Sequence, residues 1–486
     1  MAENTTGTPS FVRRGTLAFG QLSQAARLDA GYGTVEAPEA AGDSSSPSSK
    51  RKILDRRQTF TEGEIQHPSK YQTWTIEQDE DTMSDSSLVI NMLCDISPAG
   101  VLPLAFGMSG TGYIPSLLLL LVFASAAAYM MFLVARTIEI AGVKSYDRLW
   151  ERCIGSDSKW MPTVVLWLVC FGNALAYICM VGDLISMCLP GFGINFLPRS
   201  YCIAVLAMFP LLPLCMLKDL SALAPTSFLA LIAVVYMAIM MVIRFMDGSY
   251  LPGGEFHGFP RPKGHIGNFG VASLLLVNNL SIAFLCHYNG CKYYREFMDH
   301  RPGKFGVRVF TAFMLASSLF AITMLLGYAT FGANCEGVIL NNYAKNDMLA
   351  NIARFGMGFA NVFSLPLMFS GLREATLVLL ATANPGNAVF DQVWFQNALS
   401  AFMLGVIAIL GIMVTDVSKV IGLVGAICGS AIIYVIPCLL FDRASAKFMG
   451  LGDYDHANPY ERVLVQTIGC IGVVLMFAGS MASILM

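Results

Sequence analysis

An acidic residue, Asp95, stands three positions before a proline in a strongly apolar stretch of the chain. Pro98 lacks a backbone N–H and clashes with the preceding helical turn, while Gly100 tolerates almost any backbone geometry. Together with Ser97 and Pro103, they predict that a helix breaks here. Freed N–H groups at such a break can receive a carboxylate, and Asp95 can hold a cation or cycle a proton. The alternative for the helix is a plain proline kink packed against its neighbours. The alternative for Asp95 is a structural pair or a helix-end cap.

A second apolar stretch, residues 276–287, also carries side chains that do not belong against lipid. Two adjacent amides, Asn278 and Asn279, are followed by Ser281, and the stretch ends in His287. Polar groups inside a membrane helix normally face a cavity or a partner. His287 has two open interpretations, a satisfied polar group near the membrane interface and a proton relay.

The elements that position these residues follow from composition. Hydrophobic residues make up 55% of the 486 positions and charged residues only 13%. Residues 1–86 hold 22 of the 64 charged side chains, which leaves 42 for the other 400 positions. A remainder this apolar needs a bilayer as its solvent. We therefore predict a disordered cytosolic tail over residues 1–86 and a transmembrane domain over residues 87–486.

The transmembrane domain is predicted to be all-α and polytopic. Unpaired backbone polar groups are excluded from hydrocarbon, and the apolar stretches lack the alternation of a barrel, so they form helices. Eleven stretches have the length that crosses a bilayer. They are residues 87–107, 114–135, 161–189, 200–217, 223–244, 268–288, 307–331, 348–372, 395–414, 418–441 and 462–484.

The loop charges predict an orientation for these spans. Lys and Arg number 15 in the loops on the side of the N-terminus and 6 in the loops on the other side. Because positive charge accumulates in cytoplasmic loops, the N-terminus is expected in the cytosol and the C-terminus on the extracellular or lumenal face. Both the plasma membrane and a vacuolar or lysosomal membrane fit this pattern.

The first and sixth spans occupy equivalent positions in two halves of five helices each. Polar or Gly/Pro-interrupted segments at such positions indicate a five-plus-five inverted repeat with a binding site near the midplane. The eleventh helix is then an addition to the repeat.

Several other function classes find no support in the sequence. A net charge of −2 gives no sign of nucleic-acid binding, and the 13 cysteines show no metal-ligand spacing. No nucleophile–base motif or phosphate-binding loop appears, so an enzyme is not expected. We expect no metal and no cofactor.

Short motifs in order along the chain resemble the amino acid/auxin permease family from about Leu88 to the C-terminus. Residues 98–106 resemble the family's first-helix G-x-G-[IV]-L-x-[LP]-[PA] pattern, with Pro98 in place of the first Gly. Residues 213–220 resemble its P-L-x-x-L-[KR]-x-L signature, residues 283–297 its sixth helix, and residues 327–332 its G-Y-x-x-F-G motif.

The resemblance implies a fold and a substrate site. The fold is of the LeuT type, with eleven helices of which the first and sixth are broken. The substrate carboxylate is held by the broken first helix, and its ammonium group by backbone of the first and sixth helices. Transferred to this sequence, the substrate-binding set is Ser97, Ala99, Gly100, Asn279, Ser281, Ala283 and Phe284.

The resemblance also bears on the coupling ion. Sodium-coupled members carry an Asn at the position of Cys94, whereas vacuolar-type members carry an acid next to it, as Asp95 does here. This favours H⁺ over Na⁺. Asn361 and Ser364 match the eighth-helix face that supplies sodium ligands, so sodium stays an alternative.

The leading hypothesis is a secondary active transporter that moves small neutral amino acids by alternating access and is coupled to protons. A sodium-coupled or cationic amino acid carrier is one alternative. Another is an amino-acid-sensing receptor that signals through its tail to a cytosolic partner. A channel is a further possibility, which saturable uptake with counterflow would exclude.

Overall fold

A computed structural model provides the structure of the chain. It describes residues 83–96, 98–143, 146–194, 197–217, 224–258, 266–267, 269–299, 301–414, 416–448 and 459–485. Residues 1–82, which make up most of the predicted tail, lie outside the described residues.

The described chain is helical, and its only β pairing is an isolated bridge between Met83 and Phe297. The helices of the first half are α1 (Asp85–Asp95), α2 (Pro98–Val101), α3 (Leu104–Ser109), α4 (Tyr113–Ala141), α5 (Tyr146–Cys153), α6 (Trp160–Cys188), α7 (Arg199–Met216) and α8 (Ala224–Met246). Those of the second half are α9 (Ala272–Ala283), α10 (Gly290–Glu296), α11 (Pro302–Phe331), α12 (Met348–Ala383), α13 (Val393–Met413), α14 (Val417–Val424), α15 (Ile436–Phe448) and α16 (Pro459–Leu485).

Within the described residues, nine helical stretches are long and apolar enough to cross a bilayer. They correspond to nine of the predicted spans, with α14 and α15 joined by two π-helical turns. Large apolar side chains such as Phe209 and Phe477 point outward, 71% and 72% exposed, as lipid-facing residues do. The other two predicted spans, residues 87–107 and 268–288, are divided into shorter helices. The total of eleven crossings therefore stays a prediction.

Both predicted interruptions are present. The first span is α1, α2 and α3 in succession: α1 ends at Asp95, α2 ends at Val101 and α3 begins at Leu104. In the sixth span, α9 ends at Ala283, and α10 begins at Gly290 after a non-helical segment and a short 3₁₀ turn. Proline and glycine explain the first break, since neither supports a regular helix.

The first helix begins slightly before the predicted span. Ser84 caps α1 by accepting a hydrogen bond from the backbone N–H of Ser87 at 3.3 Å, so the helix starts at Asp85 rather than at residue 87. Met83 pairs with the end of α10, donating to Glu296 O at 2.8 Å and accepting from Met298 N at 3.1 Å. We call the side of the molecule that holds Met83 the tail side and the opposite side the far side.

On the far side, the segment between α11 and α12 folds back over the broken first helix. The backbone N–H of Ile339 donates to Leu102 O at 3.2 Å. This contact provides a partner for a carbonyl that the helix break sets free. Such partners are required because an unpaired carbonyl inside hydrocarbon costs several kcal/mol.

Arg354 of α12 fastens that segment. Its side chain is fully buried and donates to Leu340 O at 2.9 Å and to Ala344 O at 3.2 Å. It also reaches Tyr343 O and Asn351 Oδ1. The guanidinium thus replaces its lost hydration with a ring of protein oxygens.

Candidate functional site

The two helix breaks touch at the centre of the molecule. A Cβ atom placed on Gly100 would lie 2.4 Å from the Cα of Ala283 and 2.8 Å from its Cβ. Real Cβ contacts do not become so short, so only glycine permits this approach. The sequence-predicted residues Gly100 and Ala283 are therefore direct neighbours, at the junction of α2 and α9.

Asn279 connects α9 to the second break of the first span. Its side-chain amide is buried and donates to Pro103 O at 3.3 Å. The same carbonyl also accepts from the backbone N–H of Gly107 at 3.0 Å, so Asn279 is a second donor at the start of α3. The predicted placement of Asn279 beside the broken first helix is thus present in the structure.

The other sixth-span residues of the predicted set point in different directions. Ser281 is buried, and its hydroxyl donates to Val277 O at 3.0 Å within its own helix. Phe284 is fully buried, with its ring centroid 5.7 Å from that of Phe313 and 5.4 Å from that of Phe320. Ala283, by contrast, lies at the helix junction.

Two members of the predicted set remain without structural description. Ser97 lies outside the described residues, and the side chain of Ala99, although within α2, does so as well. Their assignment to the substrate site stays a prediction that rests on the resemblance.

Asp95 occupies the last position of α1, and its carboxylate is held by three neutral donors. Oδ1 accepts from the Tyr288 hydroxyl at 2.9 Å. Oδ2 accepts from the Asn289 amide at 3.0 Å and from the Tyr293 hydroxyl at 2.9 Å. Among the described residues, no Lys or Arg nitrogen forms an ion pair with this acid. The group is a carboxylate solvated by protein hydroxyls and an amide across the gap between the two broken helices.

Sequence reasoning did not identify these three donors. Their only signal is the cluster of polar and aromatic residues that follows His287, which by itself says nothing about Asp95. The contact joins residues almost two hundred positions apart, so it depends on the fold.

His287 is fully buried beside α4. Its Nε2 lies 2.9 Å from Ala127 O, and because a carbonyl can only accept, that nitrogen carries the proton. Nδ1 is then an acceptor, and it has no hydrogen-bond partner in the described part of the chain.

Asn361 of α12 has the least satisfied polar side chain near the breaks. It is fully buried, and neither its amide nitrogen nor its carbonyl oxygen has a hydrogen-bond partner among the described residues. Its helix packs against Pro98–Val101. Ser364, one turn further along, is half-buried. A buried amide without partners costs about 1–3 kcal/mol, a deficit that natural cores rarely retain without a functional reason.

Asn278, the neighbour of Asn279, serves a different contact. Its amide donates to Gly479 O at 2.9 Å and to Ser483 Oγ at 3.0 Å, both on α16. The sequence had grouped the two amides as one polar feature. In the structure, one of them anchors the last helix and the other reaches the first.

A helical membrane core whose first and sixth spans are interrupted and meet each other defines a transporter of the LeuT-type fold. The structure resembles Mhp1 in its inward-facing conformation, with a TM-score of 0.51 and 12% identity over 84% of this chain and 90% of that one. It resembles MhsT in complex with L-phenylalanine equally, with a TM-score of 0.51 and 13% identity over 84% of this chain and 100% of that one. At these identities, the likeness concerns the fold alone.

The family follows from the sequence match. The model of the family described as "transmembrane amino acid transporter protein" matches residues 81–485. The chain therefore belongs to the transmembrane amino acid transporter family, as the motifs predicted.

Curated relatives of the chain divide between two kinds of membrane transporter. One is a mouse protein named "Putative sodium-coupled neutral amino acid transporter 11", 22% identical over 82% of this chain and 85% of its own length. Another is vacuolar amino acid transporter 5 of Schizosaccharomyces pombe, 25% identical over 76% of this chain and 86% of its own length. Vacuolar amino acid transporter 2 of Saccharomyces cerevisiae is 23% identical, over 72% and 74% respectively.

Proposed function

We propose that this protein is a secondary active transporter of small neutral amino acids, coupled to protons through Asp95. Membership of a transporter family makes it a multi-pass membrane carrier and not an enzyme. The substrate class is supported by the names of its relatives, and alternating access by the two discontinuous helices that meet at Gly100 and Ala283.

The observation that carries the coupling proposal is the environment of Asp95. A carboxylate paired with Arg or Lys would be fixed in its ionised form. Here the donors are two tyrosine hydroxyls and one amide, which hold the ionised form without a formal opposite charge. Such an acid can exchange its proton when a change of conformation removes the donors. Intramembrane acids of this kind are common in proton relays.

The experiment is uptake into proteoliposomes with and without a pH gradient. A competition panel of the twenty amino acids against one labelled neutral substrate identifies what is carried. Asp95→Asn keeps the side-chain volume but cannot bind a proton, so it should abolish gradient-driven uptake and retain substrate exchange. Gradient-driven uptake of wild-type size in Asp95→Asn would disprove the proton role of this residue.

Sodium coupling is the second candidate, and one observation favours it. The unpartnered amide of Asn361 offers a buried carbonyl oxygen on α12, a helix that packs against α2, and a hard cation could use it. The name of the mouse relative points in the same direction. Uptake that requires a sodium gradient at constant pH, and that is lost in Asn361→Leu, would favour this candidate over the proton.

Orientation and location belong to the same proposal. The excess of positive charge in the loops on the tail side supports a cytosolic N-terminus and an extracellular or lumenal C-terminus. The vacuolar relatives support a vacuolar or lysosomal membrane, with the plasma membrane as the alternative. A cytosolic partner of the tail, as the receptor hypothesis requires, is not needed for transport.

A further inference from the structure

The tail-side half of the first span is attached to the sixth span at both of its ends. At its start, Met83 forms two backbone hydrogen bonds with Glu296 and Met298. At its end, Asp95 receives hydrogen bonds from Tyr288, Asn289 and Tyr293. The two attachments differ in chemistry, since only the one at Asp95 depends on a group that can change its charge.

The opposite face of the same half-helix is apolar and less completely filled. Leu93 and Ile96 line a cavity of about 10 Å³ together with side chains of α8 and α11. Leu231 and Val234 come from α8, and Ala316, Leu319 and Phe320 come from α11. Apolar contacts of this kind allow sliding, so the directional attachment of the end of α1 comes from its polar side.

We propose that Asp95 and its three donors form a proton-releasable tie between the two broken helices, which fastens α1 to the segment around α10 while the acid is ionised and frees it when the acid is protonated. This role of Asp95 rests on the proposed function, because the proton that releases the tie is the coupling proton.

The chemistry of the release follows from the count of donors and acceptors. An ionised carboxylate only accepts, and both oxygens of Asp95 accept from these donors. When Oδ2 takes a proton from solvent, it becomes a hydroxyl. The Asn289 amide then faces a donor, the Tyr293 hydroxyl must rotate to accept, and charge-assisted hydrogen bonds are replaced by weaker neutral ones.

The titratable and charged surroundings of Asp95 are few. Lys292 contributes a positive charge at a distance, without forming an ion pair among the described residues. Arg308 is paired with Asp85 at the other end of the helix, 2.8 Å away. The remaining groups are thiols and phenols, namely Cys94, Cys286, Tyr288, Tyr293 and, next to Tyr288, Tyr177 of α6.

Hydrogen–deuterium exchange on the full chain in lipid nanodiscs tests the tie at one fixed pH. Tyr288→Phe/Tyr293→Phe removes two of the three donors and keeps both rings. Peptides that cover residues 90–96 should then exchange at least about tenfold faster, because two hydrogen bonds to a charged group are lost and each changes the opening equilibrium by about threefold or more. The peptide that covers residues 296–298 should not change, because Met83 holds it through backbone.

Tyr294→Phe is the matched control. This neighbouring tyrosine bonds Glu139 at 2.7 Å instead of Asp95, so its loss tests for a general loosening of α10. Equal exchange of residues 90–96 in the double variant and in Tyr294→Phe would overturn the proposal. If the double variant does not fold, the single variant Tyr293→Phe replaces it. In that variant, the exchange rate of residues 90–96 should rise at least about threefold.

A pH step provides the second half of the test. After correction for the chemical rate of exchange, residues 90–96 of the wild-type protein should exchange faster at pH 5.5 than at pH 7.5. In Asp95→Asn, the same residues should exchange fast at both pH values. A wild-type segment that is insensitive to pH would contradict the tie. The measurement needs neither substrate nor gradient, so a failure of proton-coupled uptake with an intact exchange response would refute the proposed coupling and leave the structural tie standing.

Discussion

The contact between Gly100 and Ala283 gives the sharpest prediction. In Gly100→Ala, the new methyl group would lie 2.4 Å from the Cα, 2.8 Å from the Cβ and 3.0 Å from the backbone N of Ala283. Ordinary carbon–carbon contacts are about 3.5–4.0 Å, so the two breaks must separate by about 1 Å. The atoms in the way belong to backbone and a short side chain, and no flexible group can move aside.

The size of the effect differs between stability and transport. Overpacking of this kind costs about 1–3 kcal/mol, and the better helix propensity of alanine returns about 1 kcal/mol, so the protein should still fold. A displacement of about 1 Å at a site that must position a substrate lowers rates about a hundredfold. Gly100→Ala should therefore be present in the membrane at near-normal levels and be almost inactive.

Counterflow of a labelled neutral amino acid in proteoliposomes measures this, normalised to the amount of reconstituted protein. Gly405→Ala is the matched control, because a Cβ on that helical glycine meets nothing within 4 Å. It should transport at the wild-type rate. If Gly100→Ala also transported within twofold of wild type, the two breaks would not form the substrate site.

Two further predictions concern buried polar side chains of α12. Arg354→Lys leaves several loop carbonyls without donors and should lower the free energy of unfolding by about 3 kcal/mol or more in detergent. The control is Arg301→Lys, at a side chain that is 69% exposed, which should not change the free energy of unfolding measurably. Equal stabilities of the two variants would contradict the role given to Arg354. Asn361→Leu removes two unpartnered polar atoms and should stabilise the fold by about 1–3 kcal/mol while reducing transport. The control is Asn351→Leu, which should destabilise the fold because the amide nitrogen and oxygen of Asn351 are both hydrogen-bonded. Unchanged transport in Asn361→Leu would exclude a role for the Asn361 amide.

The break in the first span was predictable because its cause is local, whereas that in the sixth span was expected from its equivalent position in the repeat and from the family resemblance. Proline and glycine act on the backbone at their own positions, so Pro98 and Gly100 reveal the first interruption without knowledge of any neighbour. The same holds for the spans, whose length and apolarity are properties of single segments. The all-helical membrane fold and the family are confirmed, and nine of the eleven predicted spans are present as long apolar helices among the described residues.

The partners of the polar residues were not predictable in the same way. Asn278 and Asn279 are adjacent in sequence and therefore point about 100° apart on a helix, toward different neighbours. Which neighbour each one meets depends on how α9 packs between α16 and the first span. Arg354 gave only the signal of a charged residue inside a predicted span, because its partners, Asn351 and several backbone carbonyls, are not recognisable in the sequence.

Asp95 illustrates both situations. Its importance was predictable from its depth and its place before the break, because an isolated acid in a membrane span is costly. Its donors were not, because Tyr288 and Tyr293 become neighbours only when the sixth span returns to the first. The structure adds three hydrogen-bond donors, Tyr288, Asn289 and Tyr293, to the one acid that the sequence had indicated.

The hydrogen bond between Ile339 and Leu102 has a consequence for biosynthesis. The two residues are 339 − 102 = 237 positions apart, so the partner of the Leu102 carbonyl is synthesised long after the first span. At about 5–20 residues per second, the delay is roughly 12 to 47 seconds. During that time, the interrupted helix has a free carbonyl that lipid cannot satisfy. We therefore expect the insertion machinery to keep this segment in a hydrated or protein-lined environment until the second half of the chain arrives.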